Sequence, residues 1–145
     1  MKRAVAVILL TLVALMACGK DGNPVGPAGW NNGHWTGETA TSIPVTFTLD
    51  HPAITDWTMT IAHIYADTTD TRTWLCASIL IAEDSTFSWI DSVDHDTLKY
   101  VFSFSGTFVT GDSLMGLWDS SVEYNLSGQS GIDEIGGSWI AGGPE

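Results

Sequence analysis

The sequence from Trp30 onward predicts an all-β fold: a single antiparallel meander of about eight strands, closed or partly open as a β-barrel, with a β-sandwich as the alternative. Three observations carry it. Apolar residues recur with period two, as in Trp57, Met59, Ile61, His63 and Tyr65 against Thr58, Thr60 and Ala62. Successive side chains of a strand point to opposite faces, so each such set lands on one face. The breaks between runs are short and rich in Asp, Ser, Gly and Pro, as turns between antiparallel neighbours require. No stretch of the same region holds a helical stripe.

The strands read in order as follows. His34–Glu38 opens the domain, and Ile43–Asp50 follows with Val45, Phe47 and Leu49 in one phase. Trp57–Ala66 alternates as described, and Arg72–Ala82 carries Trp74 and Cys76. Thr86–Ile90 is short. Leu98–Phe108 sets Tyr100, Phe102 and Phe104 against Val101, Ser103 and Ser105. Ser113–Ser120 and Gly137–Ala141 complete the count, with Val122–Leu126 as a candidate ninth. Thr, Val, Ile and aromatic residues dominate these runs, as a pleated, half-buried surface prefers. Asp50-His51-Pro52, Asp67 to Asp70, Glu83-Asp84-Ser85, Asp91 to Asp96 and Thr110-Gly111-Asp112 separate them.

Ahead of this region Lys2 and Arg3 precede an uncharged, largely apolar run from Ala4 to Ala17. A membrane-spanning helix needs about 20 residues, so the run suits a cleaved export signal better. It ends in Leu15-Met16-Ala17-Cys18, which resembles the lipobox of bacterial lipoproteins. The resemblance implies a signal peptide over residues 1–17 and a lipid-bearing Cys18 as the first mature residue. Residues 18–29 then form a tether and residues 30–145 the folded domain. Gly19 after the cysteine implies the outer membrane, with the domain in the periplasm or at the cell surface. Ordinary export with cleavage after Gly19 is the competing reading.

Composition narrows the partners. From residue 18 onward three basic side chains, Lys20, Arg72 and Lys99, stand against 17 acidic ones, a formal charge of −14 by difference. So acidic a surface repels phosphate backbones, which excludes nucleic acid as an expected partner. Lipidation of Cys18 leaves Cys76 alone, so no intramolecular disulfide is expected. Cys76 lies in the apolar run Trp74-Leu75-Cys76-Ala77 and reads as a small buried hydrophobe.

Gly33-His34-Trp35-Thr36-Gly37 resembles the G-x-W opening of the lipocalins and related calycin barrels. The resemblance implies a small barrel whose closed end is plugged by Trp35. It also points to a ligand inside. Seven tryptophans supply large rings, either to fill a barrel or to line a pocket. Gly106 and Gly116 are candidates for leaving room, or for bulges. The ligand-binding residues expected are Trp57, Ile61, His63, Phe102 and Phe104. His63 shares the apolar phase, where a histidine is commonly a core residue satisfied by hydrogen bonding.

Catalysis is not expected. Gly111-Asp112-Ser113-Leu114 spells the signature of an esterase family, whose chemistry would need a base beside Ser113. Here the string falls between two strand-like runs and reads as a hairpin turn. Asp91 to Asp96 offers oxygen ligands of the kind Ca²⁺ takes but lacks the glycine and distal glutamate of a dedicated loop, so no metal is expected. No cofactor motif is present in the sequence. The expected role is therefore a lipid-anchored, non-catalytic binding module for a small apolar ligand, held to the membrane by its lipid. The alternative is a structural or interaction lipoprotein with a filled core that meets another envelope component.

Overall fold

The computed structural model describes residues 29–144. The signal segment 1–17, the lipid attachment at Cys18 and nearly all of the tether lie outside the described residues. The described chain forms eight strands: β1 (Gly33–Thr39), β2 (Pro44–Asp50), β3 (Ala53–Tyr65), β4 (Thr68–Leu80), β5 (Thr86–His95), β6 (Leu98–Thr110), β7 (Ser113–Leu126) and β8 (Gln129–Gly142). All laddered pairs are antiparallel. The strand order β4-β3-β2-β1-β8-β7-β6-β5 is a meander in which the first and last strands also pair, through Thr36–Thr39 and Trp139–Gly142. The result is a nearly closed barrel, not a sandwich, with one unsealed seam between β4 and β5.

Local chemistry explains the hairpins. Ala66 and Asp67 join β3 to β4 with φ of 46° and 60°, and Ser127 and Gly128 join β7 to β8 with φ of 29° and 92°. Two-residue turns with positive φ at both positions match the twist of the strands they connect. Several strands run longer than the alternation alone indicates. β3 begins at Ala53, β4 at Thr68, and β5 runs on to His95 through residues that read as a turn. Val122–Leu126 is the second half of β7 and not a separate strand. β8 begins at Gln129 rather than Gly137, because Gly131, Gly136 and Gly137 interrupt the apolar pattern while the backbone stays laddered to β7.

The interior is a column of rings. Trp57 stacks on Phe104 at 3.9 Å between centroids, and Trp74 on Phe102 at 5.1 Å. Burying such side chains contributes roughly 1.5–3 kcal/mol each, and among the described residues, which hold a single cysteine, this packing holds the barrel together without a disulfide. At one end Trp30 stacks on Phe108 at 4.1 Å, and Trp35 packs edge-on against the same ring. The buried Trp35 indole donates to the Asn31 carbonyl at 2.9 Å, so these two tryptophans close that end. Gly106 and Gly116, opposite one another in the β6–β7 ladder, leave room that the Phe87 and Trp139 rings occupy, with the Trp139 Nε1 donating to the Ser105 carbonyl at 3.1 Å.

Candidate functional site: an interior polar clasp and an open seam

β1 and β2 are half the length of their neighbours. β2 pairs with β3 only as far as Met59, and β1 pairs with β8 only as far back as Trp139. Beyond those points β3 and β8 face each other with no ladder between them. His63 of β3 bridges the gap. Its Nδ1 lies 2.8 Å from Asp133 Oδ2 on β8, and its Nε2 lies 2.8 Å from Ser120 Oγ on β7. The sequence analysis placed His63 on the inward face but did not identify these partners. Ser120 does fall in the inward phase between Trp118 and Val122, a polar residue at a core position, which is the signal that marks it. Asp133 lies in the glycine-interrupted stretch that does not read as a strand.

The Ser120–His63–Asp133 geometry has the connectivity of a nucleophile, a base and the carboxylate that orients it. Ser120 is 0 % exposed and His63 1 %, whereas Asp133 is 26 % exposed. A nucleophile sealed from solvent has no approach for a substrate, so the arrangement acts as a side-chain clasp. It joins two strands that backbone pairing leaves apart and satisfies the polar groups it buries.

A second polar group lies beside the first. The Tyr100 hydroxyl donates to Asp70 Oδ2 and lies 3.1 Å from the Tyr65 hydroxyl. Burial holds the Tyr100 hydroxyl well above the usual phenol range, reinforced by its bonds to Asp70 and Tyr65 and by the Asp70 charge. The Arg72 guanidinium lies over the Tyr100 ring at 4.7 Å and the Trp74 ring at 5.2 Å. No acidic side chain among the described residues forms an ion pair with it.

The five residues expected to line a ligand site are all buried. Trp57, Phe102 and Phe104 come together in the ring column, Trp57 lying 5.3 Å from Phe102. Ile61 and His63 continue the same face of β3. Two open concavities lie elsewhere, lined largely by outward-facing side chains. One is an open trough of about 820 Å³ across β5 to β8, bordered by Ile90, Ser103, Ser105, Leu117 and Ser138. Four buried indole N–H groups, those of Trp30, Trp57, Trp74 and Trp118, have no hydrogen-bond partner among the described residues.

Gly111 and Asp112 form the β6–β7 turn, and Ser113 is paired with Thr110 and Gly142 in the ladders. Thr110 Oγ1 donates to Asp112 Oδ1 at 2.7 Å, fixing that turn. Cys76 is buried on β4, and desolvation pushes its thiol above the usual range, with the Asp91 charge adding to the shift. Among the described residues no group of three or more His, Cys, Asp or Glu side chains is arranged to hold a metal ion.

The seam is the other distinctive feature. β4 and β5 are consecutive in the chain, yet they share one hydrogen bond at their turn, Ala82 N–H to the Thr86 carbonyl at 2.8 Å, and no ladder. Thirteen residues of β4 and ten of β5 thus present an open edge. Leu75 and Leu80 on β4 and Ile90 on β5 are 69 %, 73 % and 69 % exposed beside it. Unpaired strand edges are templates for pairing with another chain. Comparison with protein-family models, with curated proteins and with solved structures finds no match, so the clasp and the seam are read from their own geometry.

Proposed function

We propose that this chain is an exported, lipid-anchored envelope protein whose barrel is a docking module, accepting an extended segment of another envelope component at the β4–β5 seam. The lipobox-like Leu15-Met16-Ala17-Cys18 supports the anchor, and the outer membrane is the compartment that Gly19 favours. One observation carries the docking role. Every other pair of neighbouring strands is laddered, while β4 and β5 leave long edges open beside exposed leucine and isoleucine side chains. Adding a strand to such an edge gives affinity through main-chain hydrogen bonds and selectivity through alternate side chains. The stacked interior favours a surface role over a ligand held inside, because ligand sites are usually largely preformed.

The unpartnered indole N–H groups of Trp57, Trp74 and Trp118 favour a second reading, a small apolar ligand that enters through the same seam and supplies acceptors. One experiment separates the two. A photo-crosslinking side chain is placed at Leu75 or Ile90 beside the seam, and at Ile132 on the far face, in intact cells. A discrete protein adduct from the seam positions alone supports docking. Equal adducts from Ile132, or none from any position, refute it. Absence of adducts combined with an indole emission shift on adding a neutral apolar naphthylamine transfers the role to the interior.

A further inference from the structure

Resting on the docking reading, we propose that the seam is built for a strand that alternates basic with apolar residues, the basic side chains turned into the barrel and the apolar ones outward. Residues 67–96, which span both seam strands and their turns, hold seven acidic side chains and one basic one, Arg72. Two of them, Asp91 and Asp70, sit on the inward phase of the seam strands, where an added strand would meet them. Asp91 is half-buried on the inward phase of β5, in register with Phe102 of β6. Its carboxylate accepts the Ser92 N–H at 2.8 Å and has no cationic partner among the described residues. β5 forms one bank of the seam, so Asp91 stands at that open edge. Asp70 is inward on β4, opposite His63. The buried Trp74 ring between their levels is already covered by Arg72, whereas half-buried Trp89, two residues from Asp91 on β5, offers a ring surface that attracts a cation.

The outward phase is different in kind. Leu75, Leu80 and Ile90 are exposed there, so apolar side chains on that face of an added strand bury area against them. Strand geometry sends alternate residues to the two faces, so one partner strand satisfies both demands only if it alternates. Neither β4 nor β5 contains a proline or lysine, two of the residues that commonly blunt an edge, and Arg72 is the one basic side chain on either. A second copy of the chain fits poorly, because its own seam strands would set carboxylate against carboxylate. Residues 20–29 of the same chain also fit poorly, since Pro24 and Pro27 have no amide hydrogen to donate to a ladder.

The test uses the full exported chain purified in neutral detergent, with fluorescein-labelled peptides of about eight residues, a typical strand length. The peptides alternate Val with Lys, Val with Ser, Val with Glu, and Pro with Lys. Binding is read by anisotropy at physiological salt and mapped by amide hydrogen exchange. The Val–Lys peptide is expected to bind at least about tenfold more tightly than Val–Ser, a difference of the size one well-placed charge pair supplies. Val–Glu and Pro–Lys should bind far more weakly, and exchange should slow in residues 68–80 and 86–95. Asp91→Asn should shrink the advantage of Val–Lys severalfold while leaving Val–Ser binding intact. Equal binding of Val–Lys and Val–Ser, with the same exchange pattern, overturns the charge preference and leaves docking standing. Pro–Lys binding as tightly as Val–Lys, or no binding by any peptide, overturns docking itself.

Discussion

His63 shows how one inward polar residue replaces a missing stretch of ladder. Its two ring nitrogens reach Asp133 and Ser120, each at 2.8 Å, across a gap where β3 and β8 share no backbone bonds. Because the serine hydroxyl can donate or accept, both contacts persist in either protonation state of the ring. Replacing His63 by Leu leaves the fully buried Ser120 hydroxyl without its partner and strips Asp133 of its hydrogen bond. An unsatisfied buried polar group costs about 1–3 kcal/mol, so His63→Leu should destabilise the fold by about 2–4 kcal/mol. Ser120→Ala leaves only the buried His63 Nε2 without its partner and should cost less, about 1–3 kcal/mol. Urea midpoints at constant slope would show the order, and a His63→Leu variant as stable as the parent protein would show that the clasp carries no weight. The inward phase of His63 was readable from its alternation with Trp57, Met59 and Ile61. Its partners were not, because they depend on β1 and β2 being short, and nothing local in β3 reports the length of another hairpin.

Among the elements, β8 was the least legible and is the most tightly fitted. Its glycines dilute the apolar alternation, so only Gly137–Ala141 reads as a strand, yet all of Gln129–Gly142 is laddered to β7. The reason lies on the facing strands. Trp139 needs depth, and Gly116 provides it: a Cβ there would run into the Ser105 carbonyl and the Trp139 indole, whereas a Cβ at Gly106 would first meet the Phe87 ring. The space beside Gly106 and Gly116, which the sequence offers as room or as bulges, is occupied by the protein's own Phe87 and Trp139 rings. Gly116→Ala should force Trp139 off its bond to Ser105 and strain the β6–β7–β8 ladder, costing about 1–3 kcal/mol as overpacking does. Gly128→Ala is the control, since a Cβ there meets nothing and only its positive φ penalises the change. A thermal melt in which the Gly116 variant matches the parent protein would mean that the indole moves aside freely. β4 and β5, by contrast, read clearly as strands, but whether two neighbouring strands pair is a matter of barrel closure, which the alternation within either one does not report.

The whole molecule closes through β1 and β8 and remains open between β4 and β5, and it does so under strong like-charge repulsion. The chain carries a formal charge of −12, and the described residues contribute only Arg72 and Lys99 on the positive side. Neither cation forms a salt bridge among the described residues, where the sole ion pair is His63 with Asp133. Added salt therefore has repulsion to screen and almost no attraction to weaken. Raising sodium chloride from about 0.05 M to about 0.5 M shortens the screening length from roughly 14 Å to roughly 4 Å. The melting temperature should then rise by about 2–5 °C, the response of a domain of this size to a change of about 1 kcal/mol or less. A falling melting temperature would mean that exposed ion pairs outweigh the repulsion. The same logic reaches the seam, because the acidic residues of its two banks repel one another. Salt should slow amide exchange in β4 and β5 more than in the laddered β6 and β7, and equal slowing everywhere would show that like charge does not hold the seam apart.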